Sequence, residues 1–111
     1  MYEKNLKMGY LLDFYGDILT DRKRNVLDMY YNEDFSLGEI AEEIGISRQG
    51  VRDIIKKTEE ELIFLEEKLG LSKKIETLEA EVGRLLDIAQ KNSLPDEICE
   101  KIVELKKIIE Q

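Results

Sequence analysis

Apolar residues recur along most of this chain at steps of three and four, the spacing of one helical face. Leu6, Tyr10 and Phe14, with Leu11 beside them, predict a first helix over residues 3–15, ended by Gly16. Gly9 weakens it by ~1 kcal/mol relative to alanine. Val26, Leu27, Tyr30 and Tyr31 predict a second helix over residues 20–32, with Thr20 as its cap and Asp21 at the positive end of its dipole. Leu37, Ile40, Ala41 and Ile44 outline a third, short helix. Val51, Ile54 and Ile55 open a fourth. Its apolar line continues through Thr58, Leu62, Leu65 and Leu69 as a heptad seam, so an unbroken rod reaching Gly70 is expected. The seam restarts at Ile75, Leu78, Val82, Leu85 and Ala89, with Gly83 as a weak point. Residues 92–95 break it, and Ile98, Ile102, Leu105 and Ile109 carry a last segment. Ser93 and Asp96 are spaced as a capping box, with Pro95 in the first turn. The pattern predicts an all-α chain: a helical domain over residues 1–70, then a charged helical extension over residues 71–111.

The punctuation is densest over residues 36–57. Ser36 with Glu39 forms a capping box, and Phe35 and Ile40 occupy the hydrophobic staple positions around it. Gly45 stops the helix, since glycine takes the left-handed conformation without a Cβ clash. Ser47 caps the next helix at once, with Ile46 and Val51 as its staple. Ala41 is small where the two helices approach. A capped helix, a glycine turn and a second capped helix make a helix-turn-helix. The same signals would also serve a plain helical hairpin within a bundle. In DNA-binding versions the second helix enters the major groove, and its first turns read base edges. Its outward residues here are Ser47, Arg48, Gln49, Arg52, Lys56 and Lys57. Arginine grips guanine and glutamine grips adenine, each with two hydrogen bonds. Arg22, Lys23 and Arg24 crowd the first turns of the preceding helix. They read either as a phosphate grip or as solvated surface. The aromatic set Phe14, Tyr15, Tyr30, Tyr31 and Phe35 could stack on single-stranded bases, but helical spacing assigns most of it to the core.

Charge complicates a DNA reading. The 111 residues carry a net charge of -8, whereas phosphate neutralisation supplies most of a dedicated DNA binder's affinity. The imbalance is uneven. Residues 1–58 hold nine basic residues against eleven acids, and residues 59–111 hold eight against fourteen. The front half can present a local basic face. The back half repels phosphate and suits a basic partner.

Other chemistry is sparse. There is no His and one Cys, so no metal-ligand set, no internal disulfide and no base-activated nucleophile is apparent. Cys99 reads as a small buried hydrophobe, and a reducing, cytoplasmic setting fits it. No glycine-rich phosphate loop is present. No enzyme, metal or cofactor is expected. The first residues lack the apolar core of a signal peptide, and no apolar run is long enough to span a bilayer. The narrow seams after residue 70 cannot bury themselves alone. They must fold back on the front domain, pack on each other, or pair with another chain, as in a homodimer.

Two resemblances rest on these residues. Residues 20–57, through Leu19-Thr20-Asp21-Arg22-Lys23-Arg24, Ser36-Leu37-Gly38-Glu39-Ile40-Ala41, Gly45-Ile46-Ser47 and Val51, are similar to region 4 of bacterial sigma factors. That region is a helix followed by a promoter-reading helix-turn-helix. Met8-Gly9-Tyr10-Leu11-Leu12-Asp13-Phe14-Tyr15, Tyr30-Tyr31, residues 36–43 and Ser47-Arg48-Gln49-Gly50-Val51 resemble the YlxM family over the first two thirds of the chain. These are small bacterial helix-turn-helix proteins whose gene sits beside those of the signal recognition particle protein or its receptor. The resemblance implies a regulatory, DNA-binding protein of the signal recognition particle pathway. The acidic rod keeps a second expectation open: an adaptor that contacts the particle's protein or RNA, with the helix-turn-helix reused as scaffold.

Overall fold

The computed structural model describes residues 6–111, and of Leu6 only the backbone. Among the described residues there are six α-helices and no strand. They fall in two compact units, Met1–Leu69 and Gly70–Gln111.

In the first unit, α1 (Leu6–Tyr15) leads through a tight 3-10 turn into α2 (Asp21–Leu27), followed by α3 (Leu37–Ile44) and α4 (Arg48–Leu69). The predicted start of the first helix, at residue 3, lies outside the described residues. The buried face of α1 differs from the one expected. Met8, Leu11, Leu12 and Tyr15 are buried, whereas Tyr10 is 44% exposed and Phe14 half-buried. The cause is a helix that is apolar on most sides: the line through 8, 11, 12 and 15 has the same helical spacing as the line through 6, 10 and 14, and only packing against the other helices chooses.

Thr20 caps α2 by accepting a hydrogen bond from the Lys23 N–H. The predicted second helix does reach Asn32, but its last turn widens into a π turn over Asp28–Asn32. There the Glu33 N–H donates to the Asp28 carbonyl. Tyr30 is buried, and its ring meets that of Tyr31 edge-on at 5.1 Å. Tyr15 and Tyr30 belong to the core, with Phe14, Tyr31 and Phe35 packed on its margin.

α4 is the axis of this unit, since α1, α2 and α3 all pack on it. Val51, Ile55, Thr58 and Leu62 form its buried stripe. The Thr58 hydroxyl donates to the Ile54 carbonyl, which satisfies a polar group in an apolar layer. The rod runs unbroken to Leu69, and Gly70 adopts φ +60° beyond it.

The second unit is a hairpin of α5 (Leu71–Lys91) and α6 (Asp96–Glu110), held by Val82, Ala89 and Ile102 with Leu86, Cys99 and Ile109 beside them. The two seams therefore pack on each other, though Leu78, Leu85, Ile98 and Leu105 stay close to half exposed. The expected Ser93–Asp96 capping box does not form, because Ser93 instead terminates α5. Its φ is +48°, its N–H donates to the Gln90 carbonyl, and the Leu94 N–H donates to the Ala89 carbonyl. That is the hydrogen-bond pattern of a helix C-terminal stop, with serine in the position usually held by glycine.

Candidate nucleic-acid interface

The turn between α3 and α4 is built as its residues dictate. Ser36 Oγ accepts from the Glu39 N–H at 3.1 Å, and the Glu39 carboxylate accepts from the Ser36 N–H at 3.0 Å. These bonds favour the ionised form, and the Glu39 carboxyl is held below the usual carboxylate range by the Ser36 backbone bond first. Gly45 takes φ +75°, and the N–H groups of Gly45 and Ile46 both donate to the Ala41 carbonyl. Ser47 Oγ then accepts from the Gly50 N–H at 3.0 Å and starts α4. Ile40, Ala41 and Val51 are buried between the two helices.

The first turns of α4 carry Ser47, Arg48, Gln49, Arg52, Lys56 and Lys57, all exposed. Their local partners differ. The Arg48 guanidinium lies over Gly38 on α3, with Nη2 at 3.0 Å from where a Cβ would stand. Gln49 Nε2 donates to Asp53 at 3.0 Å, so its amide is held within its own helix. Arg52, Lys56 and Lys57 enter no ion pair with a described residue. Arg52 and Lys56 border a groove of about 450 Å³, together with Tyr30, Leu37, Ile55, Glu59, Glu60 and Ile63. Burial pushes the Glu59 carboxyl above its ordinary range, against a smaller opposing effect of the Tyr31 hydroxyl.

The α2 cluster stands elsewhere. Lys23 is paired with Glu61 at 2.8 Å, and Arg24 with Asp17 at 2.7 Å. Arg22 is exposed. Glu61 lies fourteen residues beyond Ser47, about 21 Å along α4. Lys23 thus sits beside the middle of α4 and not its N-terminus. Lys23, Arg24 and Gln49 are not paired in the sequence analysis with the acids that hold them, Glu61, Asp17 and Asp53. Gln49 and Asp53 are four apart on one helix and could have been found by that spacing. Glu61 is 38 residues from Lys23, and no local pattern connects them. Among the described residues no group of three or more His, Cys, Asp or Glu is placed to hold a metal, and no helix is long and apolar enough to cross a membrane.

Comparison with known proteins gives this geometry a family. The sequence model of UPF0122, described as "Putative helix-turn-helix protein, YlxM / p13 like", matches residues 2–111. A UPF0122 protein of Listeria monocytogenes serotype 4b is 42% identical over 109 residues, which cover 97% of this chain and 99% of that relative. One from Halalkalibacterium halodurans is 45% identical over 98 residues, 88% of this chain and 90% of the relative. One from Thermoanaerobacter is 42% identical over 109 residues, 96% and 93% of the two. The chain belongs to the YlxM/p13-like helix-turn-helix family, and the match extends through the second unit as well as the first.

Proposed function

We propose that this YlxM/p13-like protein is a regulatory helix-turn-helix protein that binds duplex DNA with the first turns of α4, and that it acts in the signal recognition particle pathway, as the family resemblance implies. The observation that carries the DNA reading is the pairing pattern on α4. Arg52, Lys56 and Lys57 are exposed and enter no ion pair with a described residue, on a helix whose start is set by the Ser47 cap and the Gly45 turn. In this reading Arg48, Gln49 and Arg52 approach base edges, and Ser47, Lys56 and Lys57 contact phosphate. Gln49 must exchange its bond to Asp53 for one to a base. Arg22 adds a phosphate contact. Lys23 and Arg24 join it only by leaving Glu61 and Asp17.

The test is binding of the full chain to duplex DNA across a salt series. Affinity that falls steeply with salt is expected, since each neutralised phosphate releases counterions. Arg52→Ala should cost roughly 1–3 kcal/mol and relax sequence preference at one base pair. If that variant binds every tested sequence as the parent does, readout by Arg52 is wrong.

Charge favours a second reading, a non-DNA-binding adaptor for the particle's protein or RNA. The net charge is -8, and two of the three basic residues on α2 are engaged by acids. In that reading the Glu59–Glu67 stretch meets a basic partner surface. Absence of duplex binding at low salt, together with binding to the particle protein or RNA, selects it. Glutamine replacements at Glu60 and Glu67 should then weaken the complex.

A further inference from the structure

Arg52 and Lys56 border a groove that also holds carboxylates and apolar side chains. Its α4 residues are Arg52, Ile55, Lys56, Glu59, Glu60 and Ile63, and Tyr30 and Leu37 complete the lining. Ile63 is 40% exposed at one end. Lys56, Glu59 and Glu60 enter no ion pair with a described residue, although they lie within one turn of each other. The α4 lining also has an internal symmetry. A twofold axis perpendicular to α4 and passing beside it, level with the midpoint between Lys57 and Thr58, sets Arg52 opposite Ile63, Ile55 opposite Glu60, and Lys56 opposite Glu59 of a second α4. Every α4 residue of the groove is therefore mapped onto another residue of the same groove. The pairing sets the Lys56 cation against the Glu59 carboxylate and the Arg52 stem against Ile63, and leaves the exposed Glu60 beside the buried Ile55.

We infer that the groove is a self-complementary interface, occupied by the antiparallel α4 of a second copy of this chain. An isologous contact of this kind uses one patch twice, so each favourable pair occurs twice. Lys56 of one copy meets Glu59 and Glu60 of the other. The methylene stem of Arg52 covers the otherwise exposed Ile63 of the other copy, with its guanidinium left in water. Glu59, whose carboxyl burial has pushed up, gains a cation to face. Running parallel, the same helices would oppose Lys56 to Lys56 and Glu60 to Glu60, so charge selects the antiparallel arrangement. One consequence rests on the DNA reading above: the second copy covers Arg52 and Lys56, so dimer and duplex compete for the same side chains.

The test is the mass of the full chain by sedimentation, which does not involve DNA. The parent should be a dimer at micromolar concentration. Lys56→Glu and Glu60→Lys should each raise the dissociation constant at least about tenfold, since each sets like charges in contact. Both positions are exposed, so helix content by circular dichroism should be unchanged in either variant. An equimolar mixture of the two single variants should recover dimers, because the carboxylate introduced at position 56 of one then faces the ammonium introduced at position 60 of the other. A parent of one-chain mass at that concentration overturns the inference. So does a dimer indifferent to both charge reversals, which would place the contact elsewhere, such as on the half-exposed face of the α5–α6 hairpin. Failure of the mixture to re-form dimers overturns the antiparallel register.

Discussion

Lys23 on α2 and Glu61 on α4 form an ion pair of 2.8 Å across 38 residues of sequence, with about a third of each side chain exposed. The lysine that reads as a phosphate grip is thereby a brace between two helices of the first unit. A partly exposed pair is worth little in stability, at most about 1 kcal/mol. Its larger effect is on the charge available to a ligand. Glu61→Gln should lower stability by under about 1 kcal/mol in urea unfolding. It should also release Lys23 and steepen the salt dependence of nucleic-acid binding. A variant with unchanged salt slope would show that Lys23 stays away from phosphate even when freed.

Gly38 and Gly45 sit seven residues apart in the helix-turn-helix and should respond oppositely to alanine. Gly45 has open space around it but a φ of +75°, so Gly45→Ala carries a pure backbone cost of roughly 1–2 kcal/mol. Gly38 is helical, and the atoms nearest to an added Cβ all belong to the flexible end of Arg48, at 3.0–3.3 Å. Gly38→Ala should be neutral or stabilising by up to ~1 kcal/mol while displacing the Arg48 guanidinium. Thermal unfolding of both variants checks the contrast. A change in DNA affinity for Gly38→Ala without a loss of stability would tie Arg48's position to binding.

Ser36 carries the cap of α3, and Ser36→Ala should cost ~1 kcal/mol. Its partner Glu39 makes the same contact dependent on pH. The native carboxyl lies below its ordinary 4.5, so its contribution is present above that value and is lost as pH falls through the lower, folded value. Glu39→Gln should flatten that acid limb of the stability curve, measured as unfolding midpoint against pH.

Glu59 should act with the opposite sign. Its native carboxyl lies above 4.5, so the folded chain binds the proton more tightly than the unfolded one. Stability from this group is present below 4.5 and falls as pH rises through the folded value. Glu59→Gln removes the penalty of burying a charge, so the variant should be more stable than the parent at neutral pH and equal to it in acid. A parent more stable than the variant at neutral pH would mean that a cation reaches Glu59, as the second copy's Lys56 would in a dimer. The comparison is therefore made at concentrations where the mass is that of one chain.

Leu62 tests whether α4 is the axis of the first unit. It is fully buried, beyond the end of the helix-turn-helix. Leu62→Ala should cost about 2–5 kcal/mol through lost burial and a residual cavity. A cost under about 1 kcal/mol would mean that the α4 rod is only loosely held beyond Lys57.

The local elements of this chain were legible wherever a single residue type answers a single backbone need. The Ser36–Glu39 box, the left-handed Gly45, the Ser47 cap and the stop at Gly70 all formed as their spacing demands. Such signals act within one turn of helix, and so a linear reading suffices. Where two local answers were equally good, the sequence could not choose between them. Ser93 fits a helix start by spacing, yet it closes α5, because the Gln90 and Ala89 carbonyls needed partners first. In α1, apolar residues on most sides left the buried face to be decided by what packs against it.

By itself, then, the sequence determined the helices, their order, the caps and the glycine turn of the helix-turn-helix, and with them the family fold. Those features depend on backbone conformation and hydrogen bonds between near neighbours. Tertiary structure alone decided which charges remain available: Lys23 and Arg24 engaged by acids, Arg48 folded over Gly38, and Arg52 and Lys56 bordering a groove with Tyr30 and Leu37. A charge interacts through space with whatever the fold sets a few ångströms away. For Lys23 that neighbour is 38 residues distant, beyond the reach of any periodicity.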